Sequence, residues 1–129
     1  MKKVLVADDK ASGRELVRTV LERCGHSVCE ASDGMEAVRR ARELLPDLII
    51  LDLHMPELDG FGALRELRAD ERFAVTPIIA LTASAMQGDR ERALSAGFTS
   101  YLAKPLSLNV LRGEVERLLG PEGAHVAGA

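Results

Sequence analysis

The sequence predicts an α/β fold, in which helices cover both faces of a doubly wound, five-stranded parallel sheet. Short aliphatic runs alternate five times with segments of helical periodicity, as repeated βα units require. The chain has 129 residues, the size of one domain, and 47% of them are hydrophobic. Aromatic residues make up only 3% of the chain, so we expect an aliphatic core.

The first and third strands are predicted from aliphatic runs without a polar face, which are typical of strands buried in a parallel sheet. The first run reads Val-Leu-Val-Ala at residues 4–7, and the third reads Leu-Ile-Ile-Leu at residues 48–51. In chain order, the predicted strands span residues 3–7, 27–31, 47–51, 77–81 and 99–103.

The first two predicted helices carry apolar residues at spacings of three and four, and each ends at a residue that stops helices. The first stripe has four aliphatic residues between 16 and 21, and Gly25 ends that helix. The second has six apolar residues between Met35 and Leu45, and Pro46 ends it. In chain order, the predicted helices span residues 12–24, 33–45, 60–69, 84–96 and 108–119, with candidate caps at Ser32 or Asp33, Asp59 and Ser107.

The chain is predicted to form one domain over residues 1–120, followed by a polar, glycine-rich tail at residues 121–129. Its net charge of -3 argues against direct binding to nucleic acid through a basic face. No apolar run is long enough for a signal peptide or a membrane span, so we expect a cytoplasmic protein. Cys24 and Cys29 are expected to be free thiols, with a disulfide as the alternative.

Acidic residues follow two strands that the fold class makes neighbours. In the flavodoxin-like order 2-1-3-4-5, strands one and three lie side by side at the switch point, where ligands bind. Strand one ends at Asp8 and Asp9, and strand three ends at Asp52. Two carboxylates ~5 Å apart repel by about 3 kcal/mol at an effective dielectric constant of 20, so three need a cation. Oxygen ligands favour a hard ion, and Mg²⁺ is predicted.

The two remaining strands of this edge end in residues that bind phosphoryl oxygens. Strand four ends at Thr82, whose hydroxyl is a hydrogen-bond donor, and strand five ends at Lys104, which supplies a compact positive charge. A carboxylate nucleophile, a metal site and oxygen-binding groups are what phosphoryl transfer to a carboxylate requires. The combined pattern therefore predicts a phosphoryl-accepting site.

Four segments of the chain resemble the motifs of receiver domains from bacterial two-component response regulators. These segments are VLVADDK (4–10), LIILDLHMPELDG (48–60), ALTASA (80–85) and SYLAKPL (100–106). The resemblance covers residues 3–119. It implies a single-domain receiver, a signalling protein rather than a metabolic enzyme, that takes a phosphoryl group from a histidine kinase or a histidine phosphotransfer protein. It also implies that the fourth helix, fifth strand and fifth helix form the face that contacts a downstream protein.

The resemblance implies a role for each acidic residue. Asp52 is the phosphoacceptor, Asp9 binds Mg²⁺ directly, and Asp8 binds it mainly through water. The backbone carbonyl of His54 completes the metal site, and its side chain either tunes hydrolysis of the phosphoryl group or has no role. Lys10 either competes for the negative charge of the site or points to water.

The resemblance also implies how the phosphoryl group is held and sensed. Thr82 and Lys104 bind its oxygens, and Tyr101 is the aromatic residue that switches with phosphorylation. The peptide bond before Pro105 is cis in this family. The small Ala83 leaves the site open to a partner's histidine or to water, and residues 82–97 resemble receivers of phosphorelays.

Two alternatives belong to other functional classes. A phosphatase of the haloacid-dehalogenase type also uses aspartate and Mg²⁺, but that family needs a second carboxylate at the position that His54 occupies. A receiver-like adaptor that is never phosphorylated would not need the complete set of Asp8, Asp9, Asp52, Thr82 and Lys104. A receiver that can catalyse its own phosphorylation and dephosphorylation is the interpretation that the sequence favours.

Overall fold

The computed structural model describes residues 2–83 and 88–120. Within these ranges it has five parallel strands in the order β2-β1-β3-β4-β5, as the sequence predicts. A 3₁₀ helix at Glu71–Phe73 precedes β4. In chain order, the strands and α-helices are β1 (Lys3–Ala7), α1 (Ala11–Arg23), β2 (Ser27–Ala31), α2 (Gly34–Leu44), β3 (Leu48–Asp52), α3 (Gly60–Arg68), β4 (Ile78–Thr82), α4 (Asp89–Ala96), β5 (Ser100–Ala103) and α5 (Leu108–Leu119).

The observed boundaries lie close to the predicted ones except at the start of the fourth helix. That helix was predicted from Ser84, but residues 84–87 lie outside the described part of the chain, which contains α4 from Asp89 onward. The predicted tail at 121–129 also lies outside it. Among the residues that are described, no helix combines the length and the apolar character needed to cross a membrane.

Side-chain caps define the starts of three helices. The Asp33 carboxylate accepts a hydrogen bond from the Glu36 N–H at 2.7 Å, so Asp33 rather than Ser32 caps α2. Glu36 in turn accepts from the N–H of Ser32, the residue before the cap, at 2.6 Å, so the chain entering α2 is also held. Asp59 caps α3 and Ser107 caps α5 in the same way, as the sequence predicts.

The sheet separates two aliphatic cores. One core lies between the sheet and helices α2, α3 and α4, and the other lies between the sheet and helices α1 and α5. Cys29 packs against the first core, whereas Cys24 ends α1 on the opposite face. Both cysteines are free, as expected.

Three residues of the predicted apolar stripes are exposed, which corrects the sequence interpretation. Leu16 is 42% exposed because α1 buries only Val17 and Leu21 against the sheet. Met35 is 60% exposed at the first turn of α2, outside its buried stripe. Leu45 is 48% exposed because it follows the end of α2 in the left-handed conformation, with φ of 49°.

Arg68 fixes the end of α4 that is remote from the carboxyl edge of the sheet. Its Nε and Nη2 donate to the carbonyl of Gly97, the C-cap of α4, at 3.1 and 2.9 Å. Its Nη1 donates to the carbonyls of Phe73 and Thr76 at 2.6 and 2.8 Å. One guanidinium thus joins α3, the loop before β4 and the carboxyl end of α4. A positive charge at that end also interacts favourably with the helix dipole.

Candidate functional site

The carboxyl ends of four adjacent parallel strands carry the predicted site residues. Asp8 follows β1, Asp52 ends β3, Thr82 ends β4 and Lys104 follows β5. These strands pair in the order β1-β3-β4-β5, so their carboxyl ends lie at one edge of the sheet. Aliphatic runs that end in polar residues therefore build the site directly.

Asp8, Asp9 and Asp52 form an acidic cluster at this edge. One carboxylate oxygen from each residue lies within 4.8 Å of those of the other two. Asp8 and Asp52 are buried, whereas Asp9 is exposed. Buried carboxylates at this spacing repel one another unless a positive charge offsets them, and three hard oxygen donors suit Mg²⁺. The residues present therefore fit the predicted metal.

Lys104 bridges the two buried carboxylates. Its Nζ donates to Asp8 Oδ2 at 2.8 Å and to Asp52 Oδ2 at 2.9 Å. Burial disfavours the ammonium, but the hydrogen bonds to both carboxylates outweigh burial and raise the pKa of Lys104. The Lys104–Pro105 peptide bond is cis, the geometry that the resemblance implies. Lys104 therefore stays charged and already occupies a position between the acidic residues.

The two buried carboxylates differ in how readily they ionise. Burial raises the pKa of Asp52, and the charge of Asp8 adds to this shift. The hydrogen bonds that Asp52 accepts from the His54 N–H and from Lys104 offset only part of it. Burial also opposes ionisation of Asp8, but hydrogen bonds from Lys104 and the Lys10 N–H lower its pKa. Asp52 is thus the less stabilised anion of the pair.

His54 reaches Asp52 through its backbone. Its N–H donates to Asp52 Oδ1 at 2.9 Å, while its imidazole side chain is exposed. Gly60, at the start of α3, lies against the same residue, since a Cβ on Gly60 would be only 2.5 Å from the Asp52 carbonyl oxygen. The loop from β3 to α3 therefore packs directly on the candidate acceptor.

The predicted switch residues lie beyond the acidic cluster. Thr82 is fully buried at the end of β4, and Ala83, which follows it, is exposed. Tyr101 on β5 is half-buried and packs against the core below α4. Burial raises the pKa of the Tyr101 hydroxyl, and the nearby charges of Asp89 and Glu91 on α4 raise it further. The Tyr101 hydroxyl is therefore within electrostatic reach of the acidic first turn of α4.

Arg14 supports the site from α1, and the sequence did not lead us to expect this role. Its Nη1 donates to the backbone carbonyl of Asp8 at 2.7 Å, and its Nε donates to Glu30 at 2.9 Å. Arg18, one turn later on α1, also binds Glu30 at 2.7 Å. The spacing of Arg14 and Arg18 on the helix that follows Asp8 is the signal that could have identified them. Arg14 holds the end of β1 in place between α1 and β2.

A cavity of about 280 Å³ opens beside the acidic cluster. It is bounded by the first turns of α1 and by the segment that joins β5 to α5. Its walls include the apolar side chains of Leu16 and Leu106 and the cationic side chains of Lys10 and Lys104, together with the Asp8 carboxylate. Lys10 is exposed and belongs to this rim, and only its backbone N–H contacts Asp8.

A match to a known protein family distinguishes the receiver from the phosphatase. Residues 4–116 match the response regulator receiver domain. The chain belongs to this family. It is 35% identical over 119 residues to the polar-differentiation response regulator DivK of Brucella ovis, which covers 92% of this chain and 97% of the relative. It is 41% identical over 117 residues to the probable transcriptional regulator ycf27 of Guillardia theta, spanning 91% of this chain but only 45% of that relative.

Solved receiver structures share the fold. The receiver domain of the sensor histidine kinase PA1611 from Pseudomonas aeruginosa PAO1 is 40% identical, with a TM-score of 0.85. That structure has a magnesium ion coordinated in its active site cleft. The chemotaxis protein CheY4 of Vibrio cholerae is 33% identical, with a TM-score of 0.86. Each alignment covers 92% of this chain and 98% of the other. The chain is therefore a signalling receiver, and the phosphatase interpretation is set aside.

Proposed function

We propose that this receiver accepts a phosphoryl group on Asp52 from a phosphohistidine of a histidine kinase or a histidine phosphotransfer protein. The observation that carries the proposal is the position of Lys104, whose ammonium contacts both Asp8 and Asp52 within the acidic cluster. A phosphoryl group on Asp52 would add negative charge beside this ammonium. The site thus already holds the positive charge that the product needs.

The reaction is a transfer between two nucleophiles. A carboxylate oxygen of Asp52 forms a bond to phosphorus, the phosphorus–nitrogen bond of phosphohistidine breaks, and the imidazole leaves as a neutral ring after taking up a proton. Lys104 and the Thr82 hydroxyl then bind the transferred oxygens. Mg²⁺, held by Asp8, Asp9, Asp52 and the His54 carbonyl, would neutralise the charge that collects there.

Asp52 fits the acceptor role better than its acidic neighbours do. Asp8 and Asp52 each accept a hydrogen bond on both oxygens, but those to Asp8 lower its pKa, whereas those to Asp52 offset only part of the effect of burial. Asp9 is exposed to solvent. Asp52 is buried, and burial raises its pKa, so its carboxylate is the more basic of the two buried acids and the better nucleophile toward phosphorus.

The cavity beside the acidic cluster supports an approach by the phosphohistidine from the α1 side. Leu16 is 42% exposed on α1, and Leu108 is 46% exposed at the start of α5. Leu16 lines this cavity, whose rim also carries Lys10, and Leu108 begins the helix that follows the opposite wall. Apolar side chains around a cationic opening suit a partner that presents a phosphorylated side chain from a helical surface.

The opposite side of the site supports a phosphorylation-dependent contact. Tyr101 is half-buried between β5 and α4, and Val110 is 53% exposed on α5. We propose that Thr82 moves toward the phosphoryl group and that Tyr101 turns inward, which changes the α4–β5–α5 face for a downstream protein. Self-catalysed phosphorylation and dephosphorylation belong to this proposal. The cytoplasmic location and the lack of direct nucleic-acid binding remain predictions.

The proposal is tested with a small phosphodonor. The protein is incubated with phosphoramidate or acetyl phosphate and Mg²⁺, and its intact mass is measured. We expect a gain of one phosphate in the wild type and in Asp47→Asn, an exposed aspartate at the far end of β3, but none in Asp52→Asn. The same yield in Asp52→Asn would overturn the assignment, and no gain in the wild type would favour the unphosphorylated adaptor.

A further inference from the structure

Gly13 lies in the first turn of α1, directly below the carboxylate of Asp8. A Cβ built on Gly13 would be 2.5 Å from Asp8 Oδ2 and 3.2 Å from Asp8 Cγ. Its backbone is not in the left-handed region, so any residue could adopt its helical conformation. Glycine in a helix is less favourable than alanine by ~1 kcal/mol, so local stability does not explain its presence. The close approach of the Asp8 carboxylate explains why this position has no side chain.

The Asp8 carboxylate cannot turn away freely. Its Oδ1 accepts from the Lys10 N–H at 2.9 Å, and its Oδ2 accepts from Lys104 at 2.8 Å, while the residue is 1% exposed. The oxygen that would meet a side chain at position 13 is the one that Lys104 binds. A methyl group at this position would therefore separate Asp8 from Lys104.

We propose that Gly13 is a positioning residue of the phosphorylation site. Because Gly13 has no side chain, the Asp8 carboxylate can lie against α1 and pair with Lys104. The ammonium and a divalent cation then compete for Asp8, and Gly13 keeps the affinity for the cation low. This role rests on the proposed function, because it concerns the Mg²⁺ that Asp8, Asp9 and Asp52 would bind.

Gly13→Ala should therefore bind Mg²⁺ more tightly. The methyl group displaces Asp8 Oδ2 from Lys104, so the competing ion pair is lost and the Asp8 carboxylate becomes available to the cation. We expect a dissociation constant roughly fivefold lower than that of the wild type, a factor that corresponds to ~1 kcal/mol. Isothermal titration calorimetry with MgCl₂ measures it.

Gly113 on α5 provides the matched control. It is a glycine within a helix, and a Cβ built on it meets no atom within 4 Å. Gly113→Ala gives the same gain in helix propensity as Gly13→Ala but should leave the Mg²⁺ affinity unchanged. An affinity of Gly13→Ala that equals that of Gly113→Ala, or that is weaker than the wild type's, would overturn the positioning role.

A double-mutant cycle tests the same contact without metal. In EDTA, Gly13→Ala should be less stable to urea than Gly113→Ala, because it disrupts the Asp8 pair. In an Asp8→Ala background the displaced carboxylate is absent, so Gly13→Ala should gain the same stability as Gly113→Ala. Additive effects would overturn the proposal, as would a Gly13→Ala protein that does not fold and that Asp8→Ala does not restore. A wild type that binds no Mg²⁺ would overturn the proposed function, while this cycle would still test Gly13.

Discussion

Replacing Asp52 by asparagine should stabilise the protein in the absence of metal. The substitution removes one charge from the acidic cluster but keeps the shape of the side chain and an oxygen that can accept from the His54 N–H. Asp52 is 5% exposed, and burial raises its pKa. A carboxyl group whose pKa is raised by folding loses stability as the pH rises through its unfolded pKa, ~3.9, to its folded value. At pH 7 this loss is complete, and asparagine does not incur it.

The magnitude follows from the charges around Asp52. At an effective dielectric constant of 20, a second carboxylate oxygen within 4.8 Å contributes a repulsion of at least about 3.5 kcal/mol. The Lys104 ammonium at 2.9 Å contributes an attraction of about 6 kcal/mol, but it keeps Asp8 as a partner when Asp52 is gone. Desolvation of a buried ion costs several kcal/mol. The raised pKa indicates that desolvation and repulsion prevail, so we expect a gain of about 1–2 kcal/mol.

Urea-induced unfolding at pH 7, followed by circular dichroism, measures this gain. In EDTA, Asp52→Asn should have the higher free energy of unfolding. Glu66→Gln, which removes an exposed carboxylate from α3, should stay within about 0.5 kcal/mol of the wild type. With saturating Mg²⁺ the difference in free energy of unfolding between Asp52→Asn and the wild type should become smaller or change sign. The variant has lost a predicted metal ligand, whereas the wild type gains stability by binding the ion.

Two results would refute this reasoning. If Asp52→Asn is no more stable than the wild type in EDTA, Lys104 adequately compensates the charge of Asp52. The inference that burial and repulsion destabilise the ionised carboxylate is then wrong. If Mg²⁺ stabilises the wild type and Asp52→Asn equally, Asp52 is not a ligand of the ion.

Three further predictions concern the switch, acid stability and the α2–β3 turn. Beryllofluoride should shift the ring signals of Tyr101, the one tyrosine in the sequence, in the wild type but not in Thr82→Ala; equal shifts would show that Thr82 does not couple the site to Tyr101. The Arg117 guanidinium holds the pKa of Glu114 at about 2, so Glu114 stabilises the fold above its unfolded pKa of ~4.3 and this stability is lost as the pH falls toward 2. Because Arg117 is 59% exposed, Glu114→Gln should remove only about 1 kcal/mol of that pH dependence in acid titrations of stability, and an unchanged profile would contradict the pairing. Leu45→Gly should raise the free energy of unfolding by about 0.5–1 kcal/mol, since glycine adopts a positive φ without strain, and a loss would show that the Leu45 side chain contributes packing.

The sequence could predict the strands and the convergence of the site, because both follow from short-range patterns. An aliphatic run that ends in a polar residue identifies a buried strand and its carboxyl end, as at Asp52 and Thr82. The strand order then follows from the fold class. Three of the helix caps are equally local, since a side chain binds a backbone N–H three residues later.

Other features could not be predicted, because they depend on how separate elements meet. The bridge from Lys104 to Asp8 joins residues 96 positions apart, and its geometry exists only once β1 and β5 flank the central strands. The space above Gly13 depends on the same packing. The exposed Met35 was misassigned because periodicity counts apolar residues but does not show how wide a stripe the sheet covers.

The hydrogen bonds of Arg68 give α4 the mechanics of a lever with a fixed pivot. The pivot is the carboxyl end at Gly97, and the helix extends from it for eight residues, about 12 Å at 1.5 Å per residue. A tilt of roughly 10° about such a pivot would move the far end of the helix by ~2 Å and the pivot itself hardly at all. The far end, at Asp89, is the one that follows Thr82 along the chain and lies near Tyr101. The amplitude of any phosphorylation signal carried by α4 should therefore increase steadily from Gly97 toward Asp89.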